Sequence, residues 1–352
     1  MARLDHLNHL LAGLRGEMPA APDWARVIAL ANKTLCTPAV SARLMDTGHL
    51  PALPSDVRTF LCEILTRNEQ RNQRLVGQLD EACAVMNAHG TRPILLKGSA
   101  WLASTNPDRR GQRMLADLDL MVPAEHFYAT IEQLTAIGYQ LEFPALRTEV
   151  PAVLWRPQDA GTIDLHTEYG GVATLFYQFR DLACDAAPIR LPGSTALLPS
   201  AVACAAILLL HDQLKGRDYL RGRVDLRHLI DVQHLVADFD DFQWQQLDRL
   251  FKQPYAHNAM KTQLLTARKM LRMDVPDALV KGVRARLQYW RRLVQIRWPM
   301  AALPLTLLSM LDPSYLAARR EARRGWAANT REALPRRESL KRLFFRSEPG
   351  KI

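Results

Sequence analysis

Residues 1–90 carry apolar side chains at the three- and four-residue spacing of amphipathic helices. Either Asp23 or Pro22 is expected to open a helix over Trp24–Asn32. Ser55 is placed to cap a long helix that continues to about Ala88, where the His89-Gly90 pair would end it. The apolar positions that would form the buried face of the long helix are Phe60, Leu61, Ile64, Leu65, Leu75, Leu79, Cys83 and Met86.

The pattern changes to that of a mixed α/β unit after Gly90. A short apolar run, Pro93–Lys97, stops at Gly98-Ser99 and is followed by a short predicted helix, Ala100–Ser104. Polar and apolar residues then alternate at the two-residue period of a strand over Leu115–Val122. A helix over Ala124–Ile137 is predicted next, and the further predicted strands are Tyr139–Phe143, Ala152–Trp155 and Thr162–Tyr169.

Helical spacing returns after Pro192-Gly193, and the pattern as a whole predicts four regions. Ser200 would cap Ala201–Leu214, and helices over Asp225–Val236 and Phe242–Phe251 would follow. The predicted division is an N-terminal helical region (1–90), a mixed core (91–195), a C-terminal helical domain (196–312) and a basic tail (313–352).

The net charge of +10 is concentrated near the C-terminus. Between Arg319 and Lys351 there are eleven Lys or Arg residues and four Glu residues. This weakens any argument that the body of the protein is a nucleic-acid-binding surface. A basic tail with interleaved aromatic residues could bind an RNA or an anionic membrane; the alternative is a solvated tail that packs its few apolar groups on the body. The apolar stretch Trp298–Leu311 spans only fourteen residues, which is too short for a transmembrane helix.

The five cysteines form no CxxC pair, so a zinc ribbon or a disulfide framework is not expected. The first fourteen residues contain Asp5 and have no uninterrupted apolar core of the kind found in secretory signals. A cytoplasmic location with reduced cysteines is therefore the expectation.

The alternating run from Asp117 to Val122 is the first candidate for chemistry. In a strand, Asp117 and Asp119 would lie on one face, and Leu118 and Leu120 would point into the core. Two adjacent carboxylates repel each other unless a cation lies between them, and Mg²⁺ prefers such oxygen ligands. The alternative is a pair of solvated carboxylates on an open sheet face.

Two further segments could complete a site. Gly98-Ser99 lies between a strand and a helix, where backbone amides and a hydroxyl can bind phosphate; the alternative is an ordinary turn. Asp164, His166 and Glu168 alternate along a later predicted strand and would share a face. A third carboxylate there could ligate metal or accept a proton, unless this too is only a polar sheet face.

In this order, the motifs resemble those of the polymerase-beta-like nucleotidyltransferase superfamily. The segment from Leu95-Leu-Lys-Gly-Ser through Arg113-Met-Leu-Ala-Asp-Leu-Asp-Leu-Met-Val, followed by Ile163-Asp-Leu-His, is similar to a poorly characterised bacterial family with an LKG…RxxxDxDxxV…DxH pattern. The resemblance covers about residues 90–235. It implies an α+β fold, in which a small mixed-sheet nucleotidyltransferase core is flanked by N-terminal and C-terminal helical regions.

The resemblance also implies a site. Asp117, Asp119 and Asp164 would be catalytic and would bind two Mg²⁺ ions, and an NTP, with ATP as the first expectation, would be the co-substrate. Residues expected to bind the nucleotide are Lys97, Gly98, Ser99, Arg113 and His166. The acceptor stays open among a small molecule, a sugar, a protein and an RNA.

Some features depart from this pattern or compete with it. Seventeen residues separate Ser99 from Asp117, more than in the compact superfamily pattern; they include Arg109 and Arg110, which would be either a phosphate clamp or a solvated loop. His211-Asp212 is also found in HD-type phosphohydrolases, with His228 and Asp231 as possible further ligands. A polar helix edge is the simpler interpretation of that pair.

The sequence therefore predicts a Mg²⁺-dependent enzyme that transfers a nucleoside monophosphate from an NTP to a hydroxyl and releases pyrophosphate. A module that keeps the fold and binds a nucleotide without catalysis is the alternative. A third possibility is an interaction protein that works mainly through its basic tail.

Overall fold

The computed structural model describes residues 2–143, 151–170, 176–327 and 350–352. Four helices form the N-terminal part, and they confirm the predicted long helix. Their bounds are Ala2–Leu14 (α1), Trp24–Lys33 (α2), Thr37–Asp46 (α3) and Ser55–Ala88 (α4).

The two predicted helix caps differ in outcome. Asp23 caps α2, because its carboxylate accepts a hydrogen bond from the backbone N–H of Arg26 at 3.2 Å. The prediction that Ser55 caps α4 is wrong by one position: Ser55 is the first helical residue, and Pro54 occupies the cap position without a side-chain hydrogen bond. The fixed φ of proline is compatible with a helix start, so no capping hydroxyl is needed there.

The middle of the chain forms the predicted mixed sheet. The strands are Ile94–Leu95 (β1), Asp117–Met121 (β2), Gln140–Phe143 (β3), Ala152–Trp155 (β4), Thr162–His166 (β5), Glu168–Gly170 (β6), Phe176–Gln178 (β7), Ala187–Arg190 (β8) and Thr195–Leu198 (β9). Seven of them form one sheet in the order β3-β4-β5-β2-β1-β9-β8, and β6 pairs with β7 separately. Helices Lys97–Ser104 (α5), Phe127–Ala136 (α6) and Phe179–Ala183 (α7) lie between the strands in sequence.

One predicted strand, Thr162–Tyr169, is divided in the structure. The part in the large sheet ends at His166, and Glu168 belongs to β6 of the small sheet. Asp164 and His166 therefore stay on one strand, whereas the expectation that Glu168 continues the same face is wrong. The backbone leaves the large sheet at Thr167, so the alternation of side chains between the two faces of β5 does not extend to Glu168.

The remainder is helical, as predicted. Ser200 caps α8, since its hydroxyl accepts a hydrogen bond from the N–H of Ala203 at 3.3 Å. The helix continues as a π-helical segment over Leu210–Lys215. The helices are Ala201–Leu209 (α8), Asp218–Arg221 (α9), Leu226–Leu235 (α10), Asp241–Leu250 (α11), Pro254–Leu271 (α12), Asp277–Val280 (α13), Val283–Arg297 (α14), Ala302–Ser309 (α15) and Pro313–Ala327 (α16).

The contacts divide the chain into two compact units. The sheet unit comprises Thr37–Tyr169 and Phe176–Ile207, and the helical unit comprises Met1–Cys36, Gly170–Leu175 and Leu208–Ile352. The four-region division by sequence stays a prediction.

Part of the predicted basic tail is packed within the helical unit. Ala318 of α16 is buried. At the end of the chain, Gly350 donates a backbone hydrogen bond to Lys33, and Ile352 pairs with Val224. Residues 328–349, which include the apolar group Leu343–Phe345, lie outside the described residues, as do 144–150 and 171–175.

No single helix within the described ranges combines the length and apolarity that crossing a membrane requires. One pair, Pro299–Ser309 with Pro313–Arg320, meets those criteria only jointly and is bent by 62°.

Candidate active site

Strands β2 and β5 bring Asp119 and Asp164 together. The two strands are parallel neighbours, and their register places Asp119 opposite Asp164 and Asp117 opposite Thr162. Residues directly opposite on neighbouring strands project from the same face. Two of the three predicted carboxylates are therefore adjacent, and Asp117 lies on the same face two residues earlier along β2.

Asp119 is the buried centre of the site, with only 2 % of its surface exposed. Its Oδ1 lies 2.6 Å from Nζ of Lys97 and 3.1 Å from Nε2 of His166. Burial alone would raise the pKa of Asp119, but the positive charge of Lys97 and the hydrogen bond from His166 hold this pKa well below its usual range. The alternative for Asp119, a solvated carboxylate on an open sheet face, is therefore wrong.

Asp164 has the opposite electrostatic character. Burial, and then the charges of Asp119 and Asp117, raise the pKa of Asp164 to about 7, although Lys97 acts against this. Its carboxyl group therefore exchanges a proton near neutral pH, while Asp119 stays ionised. Two neighbouring carboxyl groups with separated pKa values are an arrangement typical of catalytic sites.

The site contains a cluster of three side chains that could ligate a metal ion. One ligand atom each from Asp119, Asp164 and His166 lies within 4.8 Å of the others. Two carboxylates and an imidazole are a fitting donor set for a divalent cation. Asp117 is not part of this compact group and is partly exposed. His166, which was expected to contact the nucleotide, is thus placed with the carboxylates.

Lys97 reaches Asp119 from an unusual backbone position. Helix α5 begins at Lys97 itself rather than at Ala100, and Lys97 has a left-handed φ of 45°. That conformation costs a non-glycine residue roughly 1–2 kcal/mol. The sheet and the helix around it, together with the ion pair, hold Lys97 in this position.

The earlier start of α5 changes the setting of Gly98 and Ser99, which lie in its first turn. A Cβ atom on Gly98 would be 2.5 Å from Cδ2 of Leu115 and 2.7 Å from Nη1 of Arg113, so one of these side chains would have to shift for any larger residue to fit. Ser99 is fully buried, and its hydroxyl makes no hydrogen bond to any described residue. A phosphate-binding role for these two residues stays a prediction.

Arg113 is buried behind Gly98, and its guanidinium carbon lies 5.8 Å from the ring centroid of Trp101. Its carbonyl oxygen accepts hydrogen bonds from the side chains of Asn68 at 3.0 Å and Asn72 at 2.8 Å. Arg109 is exposed, as a solvated loop residue would be.

Helix α4 supports the catalytic strands through polar side chains that the apolar pattern does not reveal. Arg71 donates hydrogen bonds to the carbonyl oxygens of Leu115 and Ala160, just before β2 and β5. Gln78 donates to the carbonyl of Gly161 at 2.8 Å. The polar positions Asn68, Asn72 and Gln78 interrupt the helical apolar spacing, and this was the available sign of their role.

Tyr169 is a further residue of the site that sequence reasoning missed. It is buried, Nζ of Lys97 lies 5.6 Å from its ring centroid, and the His166 ring meets it edge-on at 5.7 Å. An aromatic face beside an ammonium group stabilises the positive charge. No local pattern distinguishes Tyr169 from a core tyrosine.

A second buried polar cluster lies in the helical unit. The ligand atoms of Asp212, Asp225 and His228 lie within 4.8 Å of one another, with Nδ1 of His228 2.5 Å from Asp212. Nearby, the ammonium of Lys351 lies 2.8 Å from the buried Asp218. His211, the other residue of the HD dipeptide, contacts His228 by its ring at 5.8 Å. Asp212 and His228 are thus brought together, and the guanidinium of Arg227 lies 3.8 Å from Asp225.

Two solved structures align with part of this chain. The antibiotic-resistance factor ANT(2'')-Ia aligns with 53% of this chain and 95% of its own at 13% identity and a TM-score of 0.39. The lincosamide antibiotic adenylyltransferase LnuA, solved with lincomycin, aligns with 47% of this chain and 97% of its own at 18% identity and a TM-score of 0.32. No curated protein matches the chain in sequence.

The match to a protein family is more extensive. A family described as "Uncharacterised nucleotidyltransferase" matches residues 20–272, which is well over half of the chain and includes α4, β2 and β5. With the resemblance in its motifs, its α+β fold and its paired carboxylates, the chain belongs to this nucleotidyltransferase family and is an enzyme of that class.

Proposed function

We propose that the enzyme transfers a nucleoside monophosphate from an NTP to a hydroxyl acceptor and releases pyrophosphate. The observation that carries this proposal is the pairing of Asp119 and Asp164 on adjacent parallel strands, with Lys97 and His166 both on Oδ1 of Asp119. Such a site can hold a metal cation next to phosphate anions, as transfer of a nucleoside monophosphate to a hydroxyl requires.

Asp117 and Asp119 would hold Mg²⁺ from one face of β2, so that Asp164, opposite Asp119 on β5, keeps its carboxylate for proton transfer. When bound, Mg²⁺ supplies positive charge that stabilises the attacking and leaving oxygens of an in-line displacement. Asp119 is suited to ligation because it stays ionised at every pH at which the protein would work. His166 orients this carboxylate by its hydrogen bond at 3.1 Å.

Asp164 is the proposed proton acceptor for the attacking hydroxyl. Its pKa of about 7 allows it to take up a proton at neutral pH, which a carboxylate of ordinary acidity does poorly. The acceptor hydroxyl would lose its proton to Asp164 as its oxygen bonds to the α-phosphorus. The bond from the α-phosphorus to the bridging oxygen breaks, and pyrophosphate leaves with that oxygen.

Lys97 is the proposed contact to the triphosphate. Its ammonium lies 2.6 Å from Asp119 and beside the Tyr169 ring, so it stays protonated. An ammonium next to the carboxylates can neutralise phosphate oxygens that approach them. Arg113, Gly98 and Ser99 complete the proposed nucleotide site, with ATP as the nucleotide to test first.

The proposal is tested by measuring pyrophosphate release from each of the four NTPs with Mg²⁺ and with a chelator. Candidate acceptors are added by class: small alcohols, sugars, proteins and RNA. We expect Mg²⁺-dependent release that the Asp119→Asn variant abolishes. Glu125→Gln is the matched control, because Glu125 is an exposed carboxylate just after β2. Turnover by Asp119→Asn at the wild-type rate would refute the assignment.

A further inference from the structure

The helical unit carries an apolar surface that faces outward. Ten of the sixteen large apolar side chains that are exposed among the described residues lie between Val283 and Leu316. Met300 is 92 % exposed. The members of this apolar surface are Val283, Leu287, Trp290, Trp298, Met300, Leu303, Leu307, Leu308, Leu311 and Leu316.

The orientation of α15 is the reverse of that in an ordinary surface helix. Leu303 and Leu307 lie four residues apart, as neighbours on one helix face do, and both are exposed; Leu311, just beyond the end of α15, is exposed as well. Thr306 on the other side of this helix is buried. A surface helix normally turns its leucines inward. A continuous outward apolar face marks a surface that contacts a partner or a membrane.

The charged residues within positions 283–320, the segment that contains the apolar surface, are almost all positive. Arg284, Arg286, Arg319 and Arg320 are exposed. The single acidic residue between positions 283 and 320 is Asp312, and Arg284 lies 3.6 Å from it. Arg284 is paired with Asp312, and the other exposed arginines leave this segment with a net positive charge.

A cavity of about 500 Å³ adjoins the same segment, since Pro299 and Ala302 are part of its wall. Apart from His6, the side chains in its lining that can carry a charge are all lysine or arginine. They are Arg26, Lys33, Arg221, Arg223 and Lys351. Arg26 and Lys351 are paired with Asp23 and Asp218, so the positive charge of this lining is partly neutralised.

We propose that the apolar surface docks the helical unit on an anionic membrane. Arginine guanidinium groups would contact the phosphates of the lipid head groups, and the leucines would enter the boundary with the acyl chains. Trp290 and Trp298 are the residue type that is enriched at this depth, and Arg297 lies 4.8 Å from the Trp298 ring centroid. An RNA would use the arginines and tryptophans but would leave six exposed leucines in water.

The test uses the full-length protein and flotation with vesicles of phosphatidylcholine, with and without phosphatidylglycerol. We expect binding to the vesicles that contain phosphatidylglycerol. The triple variant Leu303→Ser/Leu307→Ser/Leu308→Ser should bind them about tenfold more weakly, because it removes apolar surface that enters the interface. Phe242→Ser is the matched control: Phe242 is 60 % exposed in the same unit but lies outside the apolar surface.

A second variant, Arg319→Gln/Arg320→Gln, tests the electrostatic contribution to vesicle binding. It should weaken binding to anionic vesicles and reduce the salt dependence of that binding. Because all substituted side chains are exposed, the thermal unfolding temperature of each variant should match that of the wild type. If the triple variant unfolds at a lower temperature, the single variant Met300→Ser replaces it in the vesicle test.

Three results would overturn the proposal. The first is equal binding to neutral and anionic vesicles, or binding to neither. The second is unchanged vesicle binding by the triple variant together with loss of self-association, which would make the apolar surface an interface between copies of this chain. The third is RNA binding that depends on the same leucines while vesicle binding does not.

Discussion

Nζ of Lys97 and Oδ1 of Asp119 lie 2.6 Å apart, and both side chains are almost completely buried. The lysine belongs to the start of a helix and the aspartate to the middle of a strand. Neither charge can reach water easily, so each depends on the other for its ionised form. This mutual dependence makes the pair sensitive to the loss of one partner.

Lys97→Met should destabilise the metal-free protein by about 3–5 kcal/mol, because it leaves the buried carboxylate of Asp119 without its cation. Urea denaturation in the presence of a chelator measures this change. Adding Asp119→Asn to Lys97→Met should recover part of the loss, since the unpaired charge is then removed. Lys281→Met, at an exposed ion pair, should leave stability nearly unchanged. A Lys97→Met protein as stable as the wild type would contradict the burial argument.

The raised pKa of Asp164 predicts the sign of a pH effect on stability. In the unfolded chain this carboxyl group has a pKa of about 3.9, whereas in the folded protein it is about 7. Between these values the folded state holds the proton and the unfolded state does not. The contribution of Asp164 to the free energy of unfolding is therefore fully present at low pH and is lost as pH rises from about 4 to about 7.

This contribution is measured as the difference in unfolding free energy between the wild type and Asp164→Asn, with a chelator present. The difference should fall with rising pH at no more than about 1.4 kcal/mol per pH unit and level off above pH of about 7. Burial also raises the pKa of Asp218 to about 7, but Asp218 is present in both proteins, so its contribution cancels in the difference. A difference that is independent of pH over this range would mean that Asp164 is ionised throughout.

Asp164→Asn should also affect the chemical step more than nucleotide binding. If Asp164 accepts the proton of the attacking hydroxyl, its loss should lower kcat by about 10²-fold or more. The dissociation constant of the Mg²⁺–NTP complex should change less, because Asp119 and Lys97 are still present. Single-turnover kinetics with equilibrium nucleotide binding separates the two quantities. A variant that keeps full kcat would show that Asp164 is not the proton acceptor.

Gly98→Ala should destabilise the protein by about 1–3 kcal/mol, the usual cost of overpacking. The new methyl group would be 2.5 Å from Leu115 and 2.7 Å from the guanidinium of Arg113, so one of these side chains must move. Gly77→Ala in α4 is the matched control, because a Cβ there meets no atom within 4 Å. That change should stabilise the helix by about 0.5–1 kcal/mol. Equal effects of the two changes would contradict the close approach at Gly98.

Local periodicity was enough to predict the long helix α4, the strand with Asp117 and Asp119, and the strand with Asp164. The contacts that make these segments a site join residues far apart in sequence. The Lys97–Asp119 ion pair and the stacking of Lys97 on Tyr169 depend on how strands are ordered in the sheet, which periodicity does not determine. The division of the strand at Thr167 was missed for the same reason: two different sheets can continue one alternating pattern.

The first-turn position of Gly98 and Ser99 shows a different limit. The glycine was expected to let backbone amides approach a phosphate, and the structure shows that its missing side chain also makes room for Leu115 and Arg113 of the protein itself. A glycine in a sequence indicates close approach without identifying what approaches.

The side-chain amides of α4 have a consequence for how this family varies. Asn68 and Asn72 hold the carbonyl of Arg113, and Gln78 holds that of Gly161, so the entries to both carboxylate strands are attached to one helix. Substitutions at these amides would shift Asp119 and Asp164 relative to each other without altering either. We therefore expect relatives that exchange one of these amides to carry a compensating change in the loop that it holds.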